Sequence, residues 1–257
     1  MTRNLKLLKP FLVPLIFYLF IQPCFALTNE EIQNIQPLLK DRPIGEKIAF
    51  WAEKFVGVPY DTDPLGEYVS KAAIVTDERV DCMYLTFRAV ELALSHSPEE
   101  AIQIALEKRF HSKGILKDGQ VMNYEDRFEY GEDMIESRKW GKDITREVGR
   151  MIKIKGSRGK DFVEILPPTE LLKGVKRLKS GDIVFFVKKP EKRKVGEIIG
   201  HIGIIRVEKS QKGGGKGEAY LIHASGIKGK GGRVKEVLLK DYLSEMPFIG
   251  ARITRFQ

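Results

Sequence analysis

The chain has 257 residues, a formal net charge of +9 and 42% hydrophobic residues. These values are typical of one sizeable globular domain, or of a domain with a small extra lobe, and they exclude a chain too poor in apolar residues to form a core. The positive charge favours a partner that carries negative charge, although a solvated, lysine-rich surface without any partner explains it equally well.

The first 26 residues have the layout of a secretory signal peptide. An apolar run over residues 11–21 follows three basic residues, and Ala26 is small enough to precede a cleavage site. The basic residues are Arg3, Lys6 and Lys9. The run is short for a helix that spans a bilayer, which needs about 20 residues, so an uncleaved membrane anchor is the second interpretation.

Export narrows the choice of partner. A lipoprotein signal fits less well, because Pro23 precedes Cys24 where a small residue is expected. We therefore expect a periplasmic or secreted protein with a single domain over residues 27–257. Removal of the leader takes three basic residues and no acidic one, which leaves a charge of +6. An exported protein of this charge is expected to meet the cell wall or an anionic lipid surface rather than nucleic acid.

Elements in chain order indicate an α+β domain. The pattern is helical first and strand-like later, with strands that follow one another along the chain and so favour an antiparallel sheet. Predicted helices cover residues 30–39, 44–56, 82–95 and a segment that begins at Pro98. Predicted extended segments cover residues 72–76, 182–187, 201–207, 219–223, 234–239 and 249–256. Polar loops are expected over 122–141, and the basic connectors 188–197 and 208–218 are expected to be exposed and mobile.

Cys82 is the cysteine that remains once the leader with Cys24 is removed. A lone cysteine cannot form an internal disulfide, and a free thiol in an oxidising compartment is a liability, which favours a chemical role. Asp81 can cap the helix that begins at Cys82, and unpaired N–H groups at a helix N-terminus favour the thiolate. The alternative is a small buried cysteine beside an ordinary N-cap.

A cysteine nucleophile needs a base, and the base needs an orienting partner. Four histidines are present; His96 and His111 lie in polar surroundings and are expected on the surface. His201 begins an apolar strand and His223 ends the next one, so a hairpin would bring both to one end of the sheet. His201 could then serve as base while His223 holds its other ring nitrogen. Two strand histidines with only local hydrogen bonds are the alternative.

We expect no metal and no cofactor. One cysteine and two histidines match none of the zinc spacings, and no phosphate-binding glycine loop follows a strand. Nothing in the sequence indicates an oligomer.

Together these motifs resemble the NlpC-type papain-like cell-wall cysteine hydrolases. The resemblance rests on Pro59-Tyr60, Asp81-Cys82, Gly-Asp-Ile-Val-Phe-Phe, His-Ile-Gly-Ile and Ile-His-Ala-Ser. It implies a papain-like fold in which helices, with the catalytic cysteine at a helix N-terminus, pack on an antiparallel sheet or small barrel that carries two histidines. It also implies Cys82 as nucleophile, His201 as base and His223 as its orienting partner. Tyr60 would line the site and assist the oxyanion, and Asp81 would shape the substrate pocket.

A narrower branch is similar as well. The segments Met122-Asn123-Tyr124-Glu125-Asp126-Arg127 and Asp143-Ile144-Thr145 resemble a group first listed as a domain of unknown function and later interpreted as N-acetylmuramoyl-L-alanine amidases. That likeness, over residues 48–255, implies hydrolysis of the amide between N-acetylmuramic acid and L-alanine in peptidoglycan fragments. Asn123, Tyr124 and Arg127 would border the sugar or peptide pocket. A loop held by a buried arginine explains them equally well.

One departure leaves other functions open. The branch continues its cysteine helix with Thr-Phe-Val-Glu, whereas here the acid arrives one turn later, at Glu91. A D,L-endopeptidase that cuts stem peptides, a catalytically vestigial module that binds wall or lipid anions, and acyl transfer through the same cysteine therefore stay as alternatives.

Overall fold

The computed structural model describes residues 26–208 and 217–257. The predicted signal peptide and most of the connector at 208–218 lie outside the described residues. In the described part of the chain the helices are α1 (Asn29–Ile35), α2 (Ile44–Lys54), α3 (Glu67–Ser70), α4 (Cys82–Leu94), α5 (Pro98–Lys108), α6 (Gly131–Ser137), α7 (Thr145–Val148), α8 (Pro168–Gly174) and α9 (Leu239–Glu245). None of these helices is long and apolar enough to cross a bilayer.

The strands form one large sheet and two small ones. They are β1 (Leu116–Lys117), β2 (Gln120–Val121), β3 (Lys142–Asp143), β4 (Ile152–Lys155), β5 (Phe162–Ile165), β6 (Ile183–Val187), β7 (Ile199–Val207), β8 (Ala219–Ile227), β9 (Gly231–Leu238) and β10 (Gly250–Arg255). The large sheet has the order β3-β10-β6-β7-β8-β9 and is antiparallel throughout. The pairs β1-β2 and β4-β5 stand apart as hairpins. The molecule is therefore α+β, as the sequence predicted.

Apolar layers cover both faces of the sheet. Because successive strand residues point to opposite faces, Ile202 and Ile204 of β7 join the layer built with α2 and α4, whereas Ile205 joins the opposite layer with α8 and α9. Helix α4 is the most deeply placed helix, with a continuous buried run from Tyr84 to Ala93. Its N-terminal residue, Cys82, is only half-buried, so the helix is anchored by its body and presents its first turn.

The predicted strands of the second half are confirmed, with shifts at their ends. The segment expected as a strand over 234–239 starts earlier, at Gly231, and gives way to α9 at Leu239. Buried Leu239 and Leu243 stand four residues apart and cover the sheet, which is the spacing of one helix face. The strand prediction at the end of that segment was wrong because this spacing was not recognised.

Two other expectations were wrong. Residues 72–76 form irregular structure rather than a strand, with a turn at Ala72, whose φ is 49°, and a bend at Ile74. The polar region 122–141 contains α6, whose Met134 and Ile135 are buried. A short helix with two adjacent apolar residues gives little periodic signal, so its polar first turn resembled a loop.

The basic connector at 188–197 is fixed by hydrogen bonds instead of being free. The Arg193 guanidinium donates to the backbone oxygens of Lys155 (2.9 Å) and Gly156 (3.0 Å) at the β4-β5 hairpin. Lys188 pairs with Glu197 across the base of the connector. The expected mobility assumed that the lysines and arginines face only water, whereas Arg193 binds the neighbouring hairpin and Lys188 pairs with the far end of its own connector.

Candidate active site

Asp81 fixes the start of α4. Its Oδ1 accepts hydrogen bonds from the backbone N–H groups of Met83 (3.0 Å) and Tyr84 (2.8 Å), which is the N-cap geometry expected of aspartate. Its other oxygen, Oδ2, accepts a hydrogen bond from Lys228 Nζ at 3.2 Å. The residue expected to shape a substrate pocket therefore caps the helix that carries Cys82 and is neutralised by a lysine from beyond β8.

Tyr60 is held between the cysteine helix and the sheet. Its backbone forms a bridge with Val80, two residues before Cys82, and its N–H donates to Gly232 O at 2.9 Å. Its ring lies directly on Gly226 of β8, where an added Cβ would come within 2.1 Å of the ring. Glycine is therefore required at this position for the tyrosine to approach. Burial raises the pKa of Tyr60, and the nearby Cys82 raises it further, so the hydroxyl stays protonated and can donate.

The two strand histidines meet as predicted. Strands β7 and β8 pair as an antiparallel hairpin, and His201 Nε2 lies 2.8 Å from His223 Nδ1. The side chain of His223 is only 5% exposed. This part-buried hydrogen bond between imidazoles fixes the orientation of both rings and leaves Nδ1 of His201 as its second reactive nitrogen.

A β-bulge and an aromatic layer surround His201. The β6-β7 register shifts between Phe186 and Val187, which leaves Gly200 as an extra residue directly before the histidine and re-aims the strand there. The His201 ring lies near-parallel to Phe248 with centroids 6.1 Å apart, and Phe186 stacks at the same distance. The ring of Tyr242 lies 6.3 Å from His201 and 4.9 Å from His223.

Cys82 reaches the backbone of the strand that carries the base. The N–H of Ile202, the residue after His201, interacts with the thiol and favours its ionisation, and Lys228 acts in the same direction. Burial and then the Asp81 carboxylate act more strongly the other way and raise the pKa of the Cys82 thiol to about 12. The helix N-terminus was expected to favour the thiolate, but burial outweighs it, so the resting sulfur carries its proton.

The histidines are neutral at rest for the same reason. Burial, and then the neighbouring His223, lowers the pKa of His201 to about 3. Burial, and then Lys235 of β9, lowers the pKa of His223 to about 4. One nitrogen of this hydrogen bond donates and the other accepts; when the hydrogen is on His201 Nε2, Nδ1 of His201 is free to take a proton. The site thus combines a protonated thiol with two neutral imidazoles.

The residues predicted to border the sugar or peptide pocket use their polar atoms within the chain. Asn123 accepts from the Ile115 N–H at 2.7 Å and donates to Lys113 O at 3.0 Å. The Tyr124 hydroxyl donates to Ala73 O at 2.5 Å. Arg127 donates to Tyr124 O at 2.9 Å and pairs with Glu129. These contacts brace the loop against residues 72–76, and any contact with substrate stays a prediction.

The other two histidines lie on the surface, as expected. His96 is 76% exposed and pairs with Glu100, and His111 packs its ring against Phe128. Over residues 26–208 and 217–257, no group of three or more His, Cys, Asp and Glu side chains is placed to hold a metal ion.

A network of buried charged side chains connects α4 to the segments packed against it, and no sequence motif predicted this network. Arg88 donates to both oxygens of Asp77 at 2.9 Å, and Arg109 donates to both oxygens of Glu91 at 2.6 and 2.7 Å. Arg88 Nη1 lies 3.6 Å from Glu91, which joins the two pairs. Glu91, the acid that arrives one turn later than in the resembling branch, therefore has a structural partner at the C-cap of α5. Arg88, a basic residue within an otherwise apolar helix, was the available signal.

Lys228 and Tyr242 are further site residues that the motifs did not reveal. Lys228 lies outside the predicted strands, and its Nζ is 5.7 Å from the centre of the Tyr60 ring. Tyr242 belongs to α9, a helix that the sequence pattern did not predict. Only the three-dimensional fold brings these two residues to the cysteine.

Comparison with solved structures shows where this fold occurs. An N-acetylmuramoyl-L-alanine amidase from Bacteroides uniformis superimposes with a TM-score of 0.60 at 21% identity, covering 82% of this chain and 98% of that one. A Legionella pneumophila protein of the DUF1460 family gives 0.63 at 18% identity, covering 88% and 93%. The chain shares the fold of these proteins. A Bacteroides fragilis protein provisionally named a xylanase gives 0.57 at 20% identity, covering 81% and 100%.

At these identities the likeness establishes the fold alone, and the different names show that one fold carries different assignments. No family model matches the sequence, and no curated protein matches it.

Proposed function

We propose that this chain is an exported cysteine amidase that hydrolyses the bond between N-acetylmuramic acid and L-alanine in peptidoglycan fragments. The observation that carries the proposal is the 2.8 Å hydrogen bond between His201 and His223, formed on the strand whose backbone contacts the Cys82 thiol. A nucleophile, a base and an orienting group are the parts that such chemistry needs. The fold shared with a muramoyl-alanine amidase supports this choice of bond.

In the proposed reaction, His201 Nδ1 accepts the thiol proton as Cys82 Sγ attacks the carbonyl carbon of the muramic-acid lactyl group. Because thiol and imidazole are both neutral at rest, the proton moves during the attack rather than before it. The imidazolium that forms keeps its Nε2 hydrogen bond to His223, which holds the ring in place. The Tyr60 hydroxyl, kept protonated by its raised pKa, donates to the oxyanion.

The second half of the reaction reverses these roles. His201 gives its proton to the nitrogen of L-alanine, the carbon–nitrogen bond breaks, and the peptide leaves with a free amino group. The lactyl carbonyl is now a thioester on Cys82. A water molecule, deprotonated by His201, attacks that carbonyl, and Cys82 departs and recovers a proton. The products are the free lactyl carboxylate and a peptide that starts with L-alanine.

The decisive experiment is to incubate purified protein with a muramyl-tripeptide and to identify the products by mass spectrometry. We expect N-acetylmuramic acid and a peptide that begins with L-alanine, and no release by Cys82→Ala. His96→Ala, which removes a surface histidine, is the matched control and should retain activity. Equal release by wild type and Cys82→Ala would end the nucleophile assignment. A fragment that keeps L-Ala-D-Glu on the sugar would identify the endopeptidase alternative instead.

The vestigial binding module is favoured by one observation, the raised pKa of the Cys82 thiol. Such a thiol is a poor nucleophile unless the substrate and His201 help to remove its proton. If the muramyl-tripeptide binds without being cleaved, the binding interpretation is the correct one.

A further inference from the structure

The histidine pair is covered by a segment that no motif identified. Residues 239–248 contain α9 and the turn after it, and they follow the edge strand β9. From this segment Tyr242 packs edge-on against His223 at 4.9 Å, with an interplanar angle of 64°. Phe248 stacks on His201 at an interplanar angle of 5°. The segment therefore touches both partners of the imidazole hydrogen bond.

Tyr242 is also linked to the cysteine. Its ring lies 6.3 Å from that of His201, and its phenol interacts electrostatically with the Cys82 thiol. The Tyr242 ring centre also lies 5.1 Å from that of Phe186 of β6. The Tyr242 ring therefore packs on the sheet against Phe186 and both histidines. An aromatic ring with these neighbours excludes water from the edges of two imidazoles, and a hydrogen bond in such surroundings is stronger than one exposed to solvent.

We propose that Tyr242 is a positioning residue of the candidate active site: its ring, together with Phe248, shields the hydrogen bond between His201 and His223 from water and holds His201 with Nδ1 towards Cys82. Tyr242 acts through the histidines and forms no bond with the substrate. Its importance for turnover rests on the proposed amidase function, whereas its effect on the histidines does not.

Few other side chains act on the protonation of the two histidines. Among the described residues, the charged side chain that acts on the pair from outside is Lys235 of β9, which lowers the pKa of His223. From β6 the pair meets Phe186, which carries no charge. With a single cation nearby and no carboxylate, the protonation of the histidines depends mainly on how well water is excluded. That exclusion is what Tyr242 provides.

The test uses NMR titration of the histidine side chains in the full chain, which requires no substrate. Tyr242→Ala should raise the pKa of His201 from about 3 by at least one unit, because water then reaches the pair. Tyr242→Phe keeps the ring and should restore most of the wild-type titration. Tyr220→Ala, which removes a half-buried tyrosine at the start of β8, on the opposite face of the strand from His223, is the matched control and should leave both histidines unchanged.

Kinetics provide the second measurement. We expect Tyr242→Ala to lower kcat about tenfold or more with little change in KM, since the loss lies in orienting the base rather than in binding. Phe248→Leu should act in the same direction and guards against a folding defect in the alanine variant. If the histidine pKa values stay unchanged in both Tyr242→Ala and Phe248→Leu, the shielding role is overturned. It is also overturned if Tyr242→Phe loses as much kcat as Tyr242→Ala. Wild-type protein that cleaves no muramyl-peptide while the titration still shifts would instead overturn the proposed function alone.

Discussion

On the helix side of the candidate site, charged side chains surround Cys82 and its helix, whereas on the sheet side aromatic rings surround the two histidines. Asp77, Arg88, Glu91 and Arg109 lie buried behind α4, and Asp81 with Lys228 lies at its first turn. His201 is instead enclosed by Phe186, Tyr242 and Phe248. Burial among these rings lowers the pKa of His201, and Lys235 also lowers that of His223, so both imidazoles are neutral and able to accept a proton.

The contrast also separates stability from chemistry. The buried ion pairs lie away from the reacting atoms and connect α4 to α5 and to the loop before the cysteine. Their loss should weaken the fold. Substitutions of the aromatic residues around the histidines should lower kcat before they lower stability, because these rings contact His201, the proposed base. The predictions below test this division, beginning with the largest effect.

His201→Ala should reduce kcat by about 10²- to 10⁴-fold, the range expected for loss of a general base. His223→Gln should cause a smaller loss, since His201 remains and a side-chain acceptor is kept. Steady-state hydrolysis of a muramyl-tripeptide measures both, with thermal melting to confirm folding. If His223→Gln proved the more damaging variant, the roles of base and orienting partner would have to be exchanged.

Glu91→Ala should destabilise the protein by about 3–5 kcal/mol, because it leaves the Arg109 guanidinium buried without its carboxylate. Urea denaturation measures the change in the free energy of unfolding. The matched control is Glu170→Ala, which breaks the solvent-screened pair with Lys173 and should change the free energy of unfolding far less. Equal costs for the two variants would remove the distinction between a structural helix side and a chemical sheet side.

The two sides also differ in how far the sequence predicts them. The positions of the cysteine, both histidines and their hairpin followed from local rules: an N-cap before a helix, and two consecutive predicted apolar strands with a histidine at the start of the first and at the end of the second. The buried network and Tyr242 did not, because each depends on contacts between distant segments. Arg109 meets Glu91 across 18 residues, and Tyr242 meets His223 only after β9 has returned the chain to the sheet.

The thiol pKa shows a second limit of the sequence argument. The helix N-terminus is visible in the sequence, and it does favour the thiolate. The degree of burial at Cys82 is a property of the whole fold, and burial has the larger effect. The helix N-terminus seen in the sequence therefore marks Cys82 as the candidate nucleophile, whereas its resting protonation state depends on burial in the fold.

Lowering the pH should destabilise the protein through its histidines. The pKa of His223 is lowered to about 4 in the folded state. Between pH 6.5 and 4 the histidine is therefore protonated in the unfolded chain but not in the folded one. The free energy of unfolding should then fall by up to about 1.4 kcal/mol per pH unit between pH 6.5 and 4 for each such histidine. Urea denaturation at pH 7, 6 and 5 should show a weaker dependence in His223→Gln. Identical pH dependence in both proteins would mean that the histidines are not buried as neutral groups.

The smallest effects concern the charges at the first turn of α4. Lys228 lowers the pKa of the Cys82 thiol and Asp81 raises it, so Lys228→Met should raise that pKa and Asp81→Asn should lower it. Asparagine remains a good N-cap, which keeps the helix start intact while removing the charge. The rate of iodoacetamide alkylation between pH 6 and 10 reports both changes, and Lys230→Met, which changes a neighbouring lysine, is the control. The Asp81→Asn effect should be the larger of the two, because the carboxylate acts on the thiol more strongly than the lysine does. Shifts in the same direction for both variants would show that helix capping, and not charge, controls the thiol, and the contrast between a charged helix side and an uncharged sheet side would then not extend to the reacting sulfur.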